Sequence, residues 1–425
     1  MEVIPTALVA PLFNPATFAV RGAVDALLTE LRRDYPLARA EVPGFDPHWV
    51  VSRHADIQEV SRQNELFHNA DRSATLIPQM GEVLVQQFTG GDHNLFRSLV
   101  QLDGAEHKAH RRVLFQALAS HSVTQLTESM RATARAQLAT LRERGGELDW
   151  SKEIATPYPL QVVLDAIGVP RADHPRMLRL TQWLFSWADP DLRRPGSDPT
   201  DPEQQVRTWK IVFDEFDEYF TSLIEERRRT PRDDLATLIA NAEIDGEPMA
   251  HSRAISYFAI LATAGHDSTA HTTATAMWVL AENPDLFAAL KADAALIPNF
   301  VEEAIRWTTP VKHFVRHATA DCTLAGQAIA KGDRLYLSYP SGNRDEAEFD
   351  EPFRFRLDRP RNRHVGFGYG GHVCLGQHLA RLEMRTLWEE LLPALAAVEM
   401  TGEGELIASE FVSGPKKVPV RCRLA

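Results

Sequence analysis

Phe367-Gly-Tyr-Gly-Gly-His-Val-Cys-Leu-Gly376 is the stretch of sequence that decides the fold. Four of its ten residues are glycine, and a helical run over residues 377–388 follows at once. This pattern predicts an irregular loop that leads into the N-terminus of a helix. Cys374 would lie at that N-terminus, where free backbone N–H groups and the helix dipole favour a thiolate. Gly370 can supply a backbone bend there, and Gly376 leaves room for a flat group to approach the backbone.

Three interpretations of this cysteine compete. A thiolate can ligate haem iron, where it pushes electron density that favours O–O cleavage. The cysteine can instead be buried and inert, which is the better interpretation for a cysteine taken alone. His372, Cys374 and His378 can also be compared with zinc ligands, but their spacing is loose and no second cysteine is nearby. The complete pattern F-x-x-G-x-x-x-C-x-G is specific, and it favours the haem ligand.

A second motif, Ala264-Gly-His-Asp-Ser-Thr269, lies in a run that predicts one long helix over residues 252–282. Asn283-Pro284 provides the stop signal for that helix. Gly265 inside a helix costs about 1 kcal/mol relative to alanine, and the hydroxyls that follow can bend the helix. An acid and an alcohol in such a groove suit a dioxygen pocket with a proton path, in which Asp267 relays protons and Ser268 holds oxygen. The structural alternative is a kink that serves packing alone.

A third motif, Glu303-Ala-Ile-Arg306, places an acid and a base on one helix face. Most such pairs are surface salt bridges of little energetic consequence. Arg359, in Pro352-Phe-Arg-Phe-Arg-Leu-Asp-Arg359, could complete a buried network with them.

Composition limits the classes of function that are open to the chain. Its 425 residues are enough to surround a large cofactor, and its formal net charge of -12 argues against nucleic-acid binding through bulk charge. The first thirteen residues lack the basic region of a secretory signal, and no stretch is apolar for long enough to span a bilayer. The three cysteines, Cys322, Cys374 and Cys422, are far apart and odd in number, which argues against disulfides and favours a cytoplasmic location.

Helical periodicity dominates the chain, as in residues 206–223, where apolar residues recur every three or four positions. Strand-like pieces are few: residues 49–52, 323–324 and 334–338. Residues 188–204 contain four prolines and are either a linker between domains or a surface loop within one. The motifs lie on both sides of this segment and must meet at one site, so we expect a loop within a single domain over residues 1–425.

Together, the three motifs and their order resemble the cytochrome P-450 superfamily. The resemblance runs from about Tyr35 to the C-terminus. Within the superfamily it is strongest to the soluble bacterial terpineol-hydroxylating class. Further matching stretches are Arg306-Trp-Thr-Thr-Pro-Val-Lys312, Leu337-Ser-Tyr-Pro-Ser341, Asn343-Arg-Asp345 and Cys374-Leu-Gly-Gln-His-Leu-Ala380. The resemblance implies a mainly α fold with small β-sheets (α+β), shaped as a triangular prism, and one haem b. It also implies a monooxygenase that inserts one oxygen atom from O2 into a C–H bond.

The resemblance also assigns residues to the site. The haem would be bound by Cys374 as iron ligand and by His107, Arg111, Gly265, Arg316, Phe367, Gly368, His372 and Gly376. Asp267, Ser268 and Thr269 would be catalytic, and Glu303, Arg306 and Arg359 structural. The family usually has threonine where this chain has Ser268, which keeps the hydroxyl but loses the methyl that restricts its rotation. Tight coupling of electrons to product is therefore an open question.

By the same resemblance, the substrate would meet an apolar set of residues: Phe88, Phe96, Ala264, Val311, Phe314, Phe411 and Val412. Trp183, Phe185 and Trp187 lie beside the proline-rich loop, which we interpret as an entrance lid. These side chains predict a compact hydrocarbon-like ligand, such as a monoterpene or an alkylbenzene.

Electrons must come from a separate partner, because the chain has no flavin or nicotinamide fingerprint. A basic patch suits an acidic iron–sulfur ferredoxin, itself served by a reductase. The patch would comprise Lys108, Arg111, Arg112, Arg361, Arg363 and His364. A haem-thiolate sensor without turnover and a peroxide-driven oxidase are the alternatives, and the acid–alcohol pair argues against both.

Overall fold

Helices make up most of the molecule, and the sheets are small. The structure, a computed structural model, describes residues 2–425. In these residues the α-helices are α1 (Thr6–Val9), α2 (Pro15–Phe18), α3 (Asp25–Asp34), α4 (His54–Arg62), α5 (Gln79–Thr89), α6 (Gly104–Phe115), α7 (Ser120–Val123), α8 (Thr127–Glu143), α9 (Pro157–Ile167), α10 (His174–Phe185), α11 (Pro202–Arg229), α12 (Leu235–Ala240), α13 (His251–Ala264), α14 (Asp267–Glu282), α15 (Pro284–Ala292), α16 (Ile297–Thr308), α17 (Tyr339–Gly342) and α18 (Gln377–Leu391). The predicted mainly α class is confirmed.

The strands are short and fall into several sheets. They are β1 (Leu37–Ala40), β2 (His48–Val51), β3 (Phe67–His68), β4 (Glu147–Asp149), β5 (Glu243–Ile244), β6 (Glu247–Pro248), β7 (His313–Ala318), β8 (Cys322–Leu324), β9 (Gln327–Ile329), β10 (Arg334–Ser338), β11 (Leu395–Met400), β12 (Glu405–Leu406), β13 (Pro415–Lys417) and β14 (Pro419–Leu424). The largest sheet has the order β1-β2-β10-β7-β3, and a three-stranded sheet has the order β11-β14-β4. The three predicted strands correspond to β2, β8 and β10, whereas β7 escaped prediction.

Strand β7 matters because it carries two cavity residues. It runs antiparallel to β10, with Phe314 opposite Leu337 and Arg316 opposite Leu335. Both Phe314 and Arg316 line the central cavity described below. The strand has no clean alternation of apolar and polar residues because buried charged and aromatic side chains interrupt it.

The proline-rich segment is a loop between α10 and α11. Helix α11 begins at Pro202, two residues before the predicted end of the loop, and the Asp201 side chain caps it by accepting a hydrogen bond from the Glu203 N–H. Helices α10 and α11 both pack on α13, so elements on the two sides of the loop are in contact. The assignment of residues 1–425 to one domain stays a prediction.

The predicted long helix is interrupted at Gly265 and His266. Helix α13 ends at Ala264 and α14 begins at Asp267, and Asn283 ends α14 as predicted. A Cβ on Gly265 would lie 2.8 Å from a methyl of Val163 on α9 and 2.7 Å from the Leu261 carbonyl oxygen. Close packing against α9 therefore requires a glycine at position 265, and the glycine also allows the helix to break there.

A loop near the C-terminus brings two more predicted residues to the centre. The β12–β13 hairpin presents Phe411 and Val412 in its loop, which docks on residues 310–312. The Lys312 N–H donates to the Phe411 carbonyl at 2.8 Å, and the Ser413 N–H donates to the Pro310 carbonyl at 2.9 Å. These bonds join segments about a hundred residues apart in the chain.

The predicted Glu303 network is present and fully buried. Arg306 donates to both carboxylate oxygens of Glu303, at 2.8 Å from Nε and 2.7 Å from an Nη. Arg359 adds a hydrogen bond of 3.0 Å from its Nε to the same carboxylate. The two arginines also donate to the carbonyls of Asn343, Pro352 and Asp350. The network thus ties α16 to the segment that precedes the glycine-rich loop.

Two further observations concern membrane-spanning helices and disulfide bonds. No helix within residues 2–425 is both long and apolar enough to cross a membrane. All three cysteines are unpaired.

We predict that Glu303→Gln lowers the free energy of unfolding by about 3–5 kcal/mol, since it leaves two buried arginines without their counter-charge. Urea denaturation measures this. Glu128→Gln is the matched control, because the Glu128 side chain is 80% exposed in its pair with Arg135, and it should cost about 0–1 kcal/mol. Equal losses for the two variants would contradict a structural role of the network.

Candidate active site

One central cavity of about 380 Å³ brings the predicted site residues together. It lies where α6, the α13–α14 break, β7, the C-terminal hairpin and the loop before α18 meet. The predicted residues that line it are Phe96, His107, Arg111, Ala264, Gly265, Asp267, Ser268, Thr269, Val311, Phe314, Arg316, Phe367, Gly368, His372, Cys374, Gly376, Phe411 and Val412. Residues distant in sequence thus form one site, as the three motifs predict.

Phe88 is an exception, and its prediction as a pocket residue is wrong. Its side chain is 43% exposed on α5 and does not reach the cavity. Val85, almost one turn earlier on the same helix, is buried and lines the cavity instead. The helix exposes the face that carries Phe88, because a helix can turn only one stripe of residues inward.

The glycine-rich loop has the predicted bend. Gly368 and Gly370 have φ values of 71° and 72°, in the left-handed region that glycine adopts without strain. A Cβ on Gly370 would lie 2.0 Å from the Ser61 carbonyl oxygen, so no other residue fits there. The Cys374 N–H donates to the Phe367 carbonyl at 2.8 Å and closes the loop.

The Cys374 thiol is partly buried and borders the cavity. Burial raises the pKa of this thiol, whereas the Gly376 N–H and the charges of Arg111 and Arg381 lower it. The net shift therefore favours the neutral thiol, whereas the helix dipole had predicted a thiolate. The Gly376 N–H and the two arginines offset only part of the cost of burial. A cation bonded to the sulfur would supply the missing stabilisation, because a coordinated thiol is deprotonated.

One side of the cavity carries four side chains that can donate hydrogen bonds: His107, Arg111, Arg316 and His372. Arg111 donates to the Val373 carbonyl at 2.7 Å, and the His107 and His372 rings stack with their centres 4.0 Å apart. His372 also pairs with Asp103 at 3.3 Å. The fourth donor, Arg316, is 3% exposed, and its Nε has no hydrogen-bond partner in the protein.

The two histidines are neutral donors rather than cations. Burial lowers the pKa of His107 to about 3, and the neighbouring His372 and Arg111 lower it further. Burial also lowers the pKa of His372, although Asp103 opposes the shift. His107 Nε2 is buried and has no hydrogen-bond partner in the protein.

These donors test whether a haem fits the cavity. The unpartnered His107 Nε2 and Arg316 Nε are costly to bury unless a ligand accepts their hydrogen bonds. Two carboxylates, as haem carries, are acceptors that suit the two arginines and His107, whereas the Nε2–H of neutral His372 is already donated to Asp103. Gly376 has only the Cys374 sulfur, at 4.0 Å, near its missing Cβ, so a flat ring can approach the backbone there. The residues present fit a haem.

The zinc alternative does not fit this arrangement. His372 is engaged by Asp103 and His107, and residues 2–425 contain no group of three or more His, Cys, Asp and Glu side chains that could hold a metal ion.

At the helix break, Asp267 and Ser268 border the cavity as predicted. The Ser268 hydroxyl lies 3.4 Å from the Ala264 carbonyl, to which it donates. Asp267 is buried, and its carboxylate lies 3.6 Å from Nε2 of His271, one turn further along α14. Burial raises the pKa of Asp267, but the nearby imidazole of His271 outweighs burial, so the pKa lies below its ordinary value.

Glu383 is a buried acid that sequence reasoning missed. It lies on α18, is fully buried and borders the cavity. Burial raises the pKa of Glu383 well above its usual range, and the Thr269 hydroxyl opposes this shift only in part. The carboxyl group is therefore neutral near pH 7. Its position in the helical run after Cys374 was visible, but helical periodicity does not reveal a buried acid.

The rest of the cavity wall is mostly apolar. Sequence reasoning missed several of its side chains, which come from α5, α11, α13 and the segment between α5 and α6: Val85, Leu95, Leu99, Val100, Trp209, Phe213, Ile260 and Leu261. It also missed a polar group before α6: Asn69, Ser73, Thr75, His93 and Asn94. Of the three aromatic residues predicted beside the lid, Phe185 reaches the cavity wall and Trp183 and Trp187 do not.

The predicted basic patch is smaller than expected. Lys108, Arg112, Arg361 and Arg363 are exposed, as predicted. His364 does not belong to the patch, because its side chain is buried in an ion pair of 3.1 Å with Glu302. Arg111 faces the cavity and the Val373 carbonyl, as described above.

Comparison with known proteins identifies the family. The family model for cytochrome P450 matches residues 80–417. The chain belongs to the cytochrome P450 family. Cytochrome P450-terp from Pseudomonas sp is 40% identical over 418 residues, 98% of each protein. Linalool 8-monooxygenase from Pseudomonas putida is 31% identical over 413 residues, 96% of this chain and 98% of the relative.

Solved structures agree with this assignment. The crystal structure of CYP108D1 from Novosphingobium aromaticivorans DSM12444 matches with a TM-score of 0.92, 39% identity and coverage of 100% of both chains. The predicted cytochrome P450 fold is therefore confirmed. The protein is a cytochrome P450 monooxygenase, an oxidoreductase that incorporates oxygen and uses haem b.

We predict that Glu383→Gln changes the pH dependence of stability. In the native protein the raised pKa keeps Glu383 protonated when folded, while the unfolded chain loses the proton above about pH 4.5. The free energy of unfolding should therefore fall as pH rises from this value towards neutrality, and Gln should remove that loss. Urea denaturation at pH 5 and pH 8 measures it. A native-minus-variant difference that stays constant across this range would contradict a neutral Glu383.

Proposed function

We propose that this cytochrome P450 hydroxylates a compact apolar molecule of the monoterpene or alkyl-aromatic class, with electrons from an iron–sulfur ferredoxin. The observation that carries the proposal is the single cavity that joins the Cys374 loop, the Asp267–Ser268 break and a largely apolar wall. We also propose that the protein is located in the reducing cytoplasm, as the number and spacing of its cysteines predict.

In this proposal the Cys374 sulfur binds the haem iron, and the bound haem supplies the redox chemistry that activates dioxygen. His107, Arg111, Arg316 and His372 hold the haem carboxylates. The unpartnered His107 Nε2 and Arg316 Nε and the close-packed turn at Gly370 support this assignment. The flat cofactor would lie against Gly265, Phe367, Gly368 and Gly376.

In this proposal, residues at the break between α13 and α14 deliver protons. Asp267 is an acid within the cavity wall, and the Ser268 and Thr269 hydroxyls lie beside it on α14. An ionised carboxylate with a charged partner can accept a proton and pass it on. The Ser268 hydroxyl, held only by a bond of 3.4 Å, is free to reorient towards a reacting oxygen.

The substrate class follows from the wall of the cavity. Phe96 contacts Phe213 of α11 with ring centres 4.1 Å apart, and Phe314 contacts Phe411 with centres 5.5 Å apart. These aromatic pairs, with Ala264, Val311 and Val412, favour an apolar ligand of modest size. The name of linalool 8-monooxygenase links one relative to a terpene.

Charge argues against an anionic substrate. The lysine and arginine side chains that line the cavity within residues 2–425 are Arg111 and Arg316, and both are assigned to the haem carboxylates. A second carboxylate from a fatty acid would lack a counter-charge, which makes its burial costly.

A ferredoxin suits the exposed cations. Lys108 and Arg112 lie on α6, whose other face borders the haem cavity through Arg111. Phe115, one turn beyond Arg112, is 49% exposed and adds an apolar contact. A basic patch on a protein with a net charge of -12 attracts an acidic partner to one face.

Replacement of the proposed iron ligand tests the function most directly. Reduced native protein with carbon monoxide should show the strongly red-shifted Soret band of thiolate ligation, and Cys374→Ala should lose it. Cys422→Ala is the matched control, since Cys422 is buried far from the loop in sequence and should leave the band intact. A Cys374→Ala protein that kept the band would contradict the assignment.

For the helix break, we predict that Asp267→Asn slows turnover by a factor on the order of 10² and leaves substrate-induced spectral shifts unchanged. Ser268→Thr should give an equal or higher yield of product per electron pair. Steady-state rates and peroxide release measure both effects. Unchanged turnover in Asp267→Asn would remove Asp267 from proton delivery.

For the substrate, we predict that p-cymene and α-terpineol shift the ferric protein towards high spin more strongly than a long-chain fatty acid. Apolar burial supplies roughly 25 cal/mol per Å² before the costs of association, which also favours ten-carbon ligands over a short alkylbenzene. Titration followed by absorbance measures the shift. A response to the fatty acid alone would overturn the terpene-like class.

A further inference from the structure

His271 is a buried titratable residue behind the proposed proton path. It lies one turn after Asp267 on α14, with Nε2 3.6 Å from the carboxylate. The two side chains are only 6% and 11% exposed. His271 does not border the haem cavity, whereas Asp267 does, so Asp267 can connect His271 to the cavity.

His271 is the basic side chain that lies against this carboxylate. Within residues 2–425, no lysine or arginine forms an ion pair with Asp267. The other titratable groups nearby are His266, at the helix break, and His174 on α10, which faces His266. Burial lowers the pKa of His266, so that ring is a poor source of positive charge.

The His271 ring is held in place from the opposite side. A Cβ on Gly414 would lie 2.4 Å from the His271 Cβ and 3.0 Å from its Nδ1, so the C-terminal hairpin packs directly on the ring. Gly414 also borders a second cavity of about 260 Å³. The walls of that cavity mix apolar and polar side chains, including Thr275, whose hydroxyl donates to the His271 carbonyl at 2.8 Å.

We propose that His271 is a positioning residue that orients the Asp267 carboxylate at the wall of the haem cavity. This inference rests on the proposed role of Asp267. The imidazole lies beside Asp267 Oδ2 on the same helix, and the C-terminal hairpin holds the ring there.

Two variants test the polar group beside Asp267. His271→Gln keeps a polar N–H group at this position, and His271→Leu removes it. Turnover should fall by roughly tenfold in His271→Leu and by less in His271→Gln, with a larger solvent deuterium isotope effect and unchanged substrate-induced spectral shifts. The unchanged shifts also show that the variants are folded. His174→Gln is the matched control, a buried histidine that bonds to the Val169 carbonyl and should leave turnover unchanged.

A second readout does not depend on turnover. Without His271, burial of Asp267 is opposed only by the weaker influence of His266, and the pKa of Asp267 should rise. The infrared difference spectrum of resting His271→Leu minus native protein near pH 7 should therefore show one additional protonated carboxyl band, beyond the band of Glu383 that both proteins share. The additional band should disappear in the double variant His271→Leu/Asp267→Asn, which assigns it to Asp267.

The outcomes distinguish this inference from the proposed function. If Asp267→Asn slows turnover while His271→Leu matches native protein in rate and infrared spectrum, the role of His271 is wrong and that of Asp267 stands. If Asp267→Asn itself leaves turnover unchanged, the proposed proton path fails, and this inference fails with it. A slow His271→Leu without the additional carboxyl band would also overturn it, because Asp267 would then not depend on His271 for its charge.

Discussion

The carboxylate of Glu303 is the constraint on which the rest of the structure depends. A charge with no solvent exposure is tolerable only when it is fully paired, and Arg306 and Arg359 provide that pairing. The same arginines hold the carbonyls of Asn343 and Pro352. The Asn343 side chain in turn accepts the N–H of Val365, two residues before the glycine-rich loop begins. The place of the Cys374 loop is therefore set by one buried ionic cluster.

With the loop fixed, the cavity combines two kinds of wall. One side carries buried donors whose hydrogen bonds the protein leaves open, notably His107 Nε2 and Arg316 Nε. The other side is built from aromatic and aliphatic residues on α11, α13, β7 and the C-terminal hairpin. This division underlies the proposed function, in which the open donors bind the two carboxylates of the cofactor and the apolar wall contacts the substrate.

Two buried carboxyl groups on facing helices have opposite ionisation. Glu383 on α18 has no cation beside it, and burial keeps it neutral. Asp267 on α14 has His271 one turn away, and its pKa falls despite burial. Whether each carboxyl group is ionised thus depends on the side chain beside it rather than on how fully it is buried. An ionised acid beside an imidazole can relay a proton, whereas an isolated neutral acid mainly preserves packing.

The sequence by itself determined the helical class, the glycine-rich loop before a helix and a kink near Gly265, because glycine, proline and helical periodicity act locally. Its motifs also supplied the residues of the Glu303 network, and the family resemblance supplied part of the apolar cavity wall. Only the tertiary structure decided that Val85 rather than Phe88 faces inward and that the His364 side chain is bound to Glu302. Those outcomes depend on helix rotation and on contacts between distant segments, which no local pattern encodes.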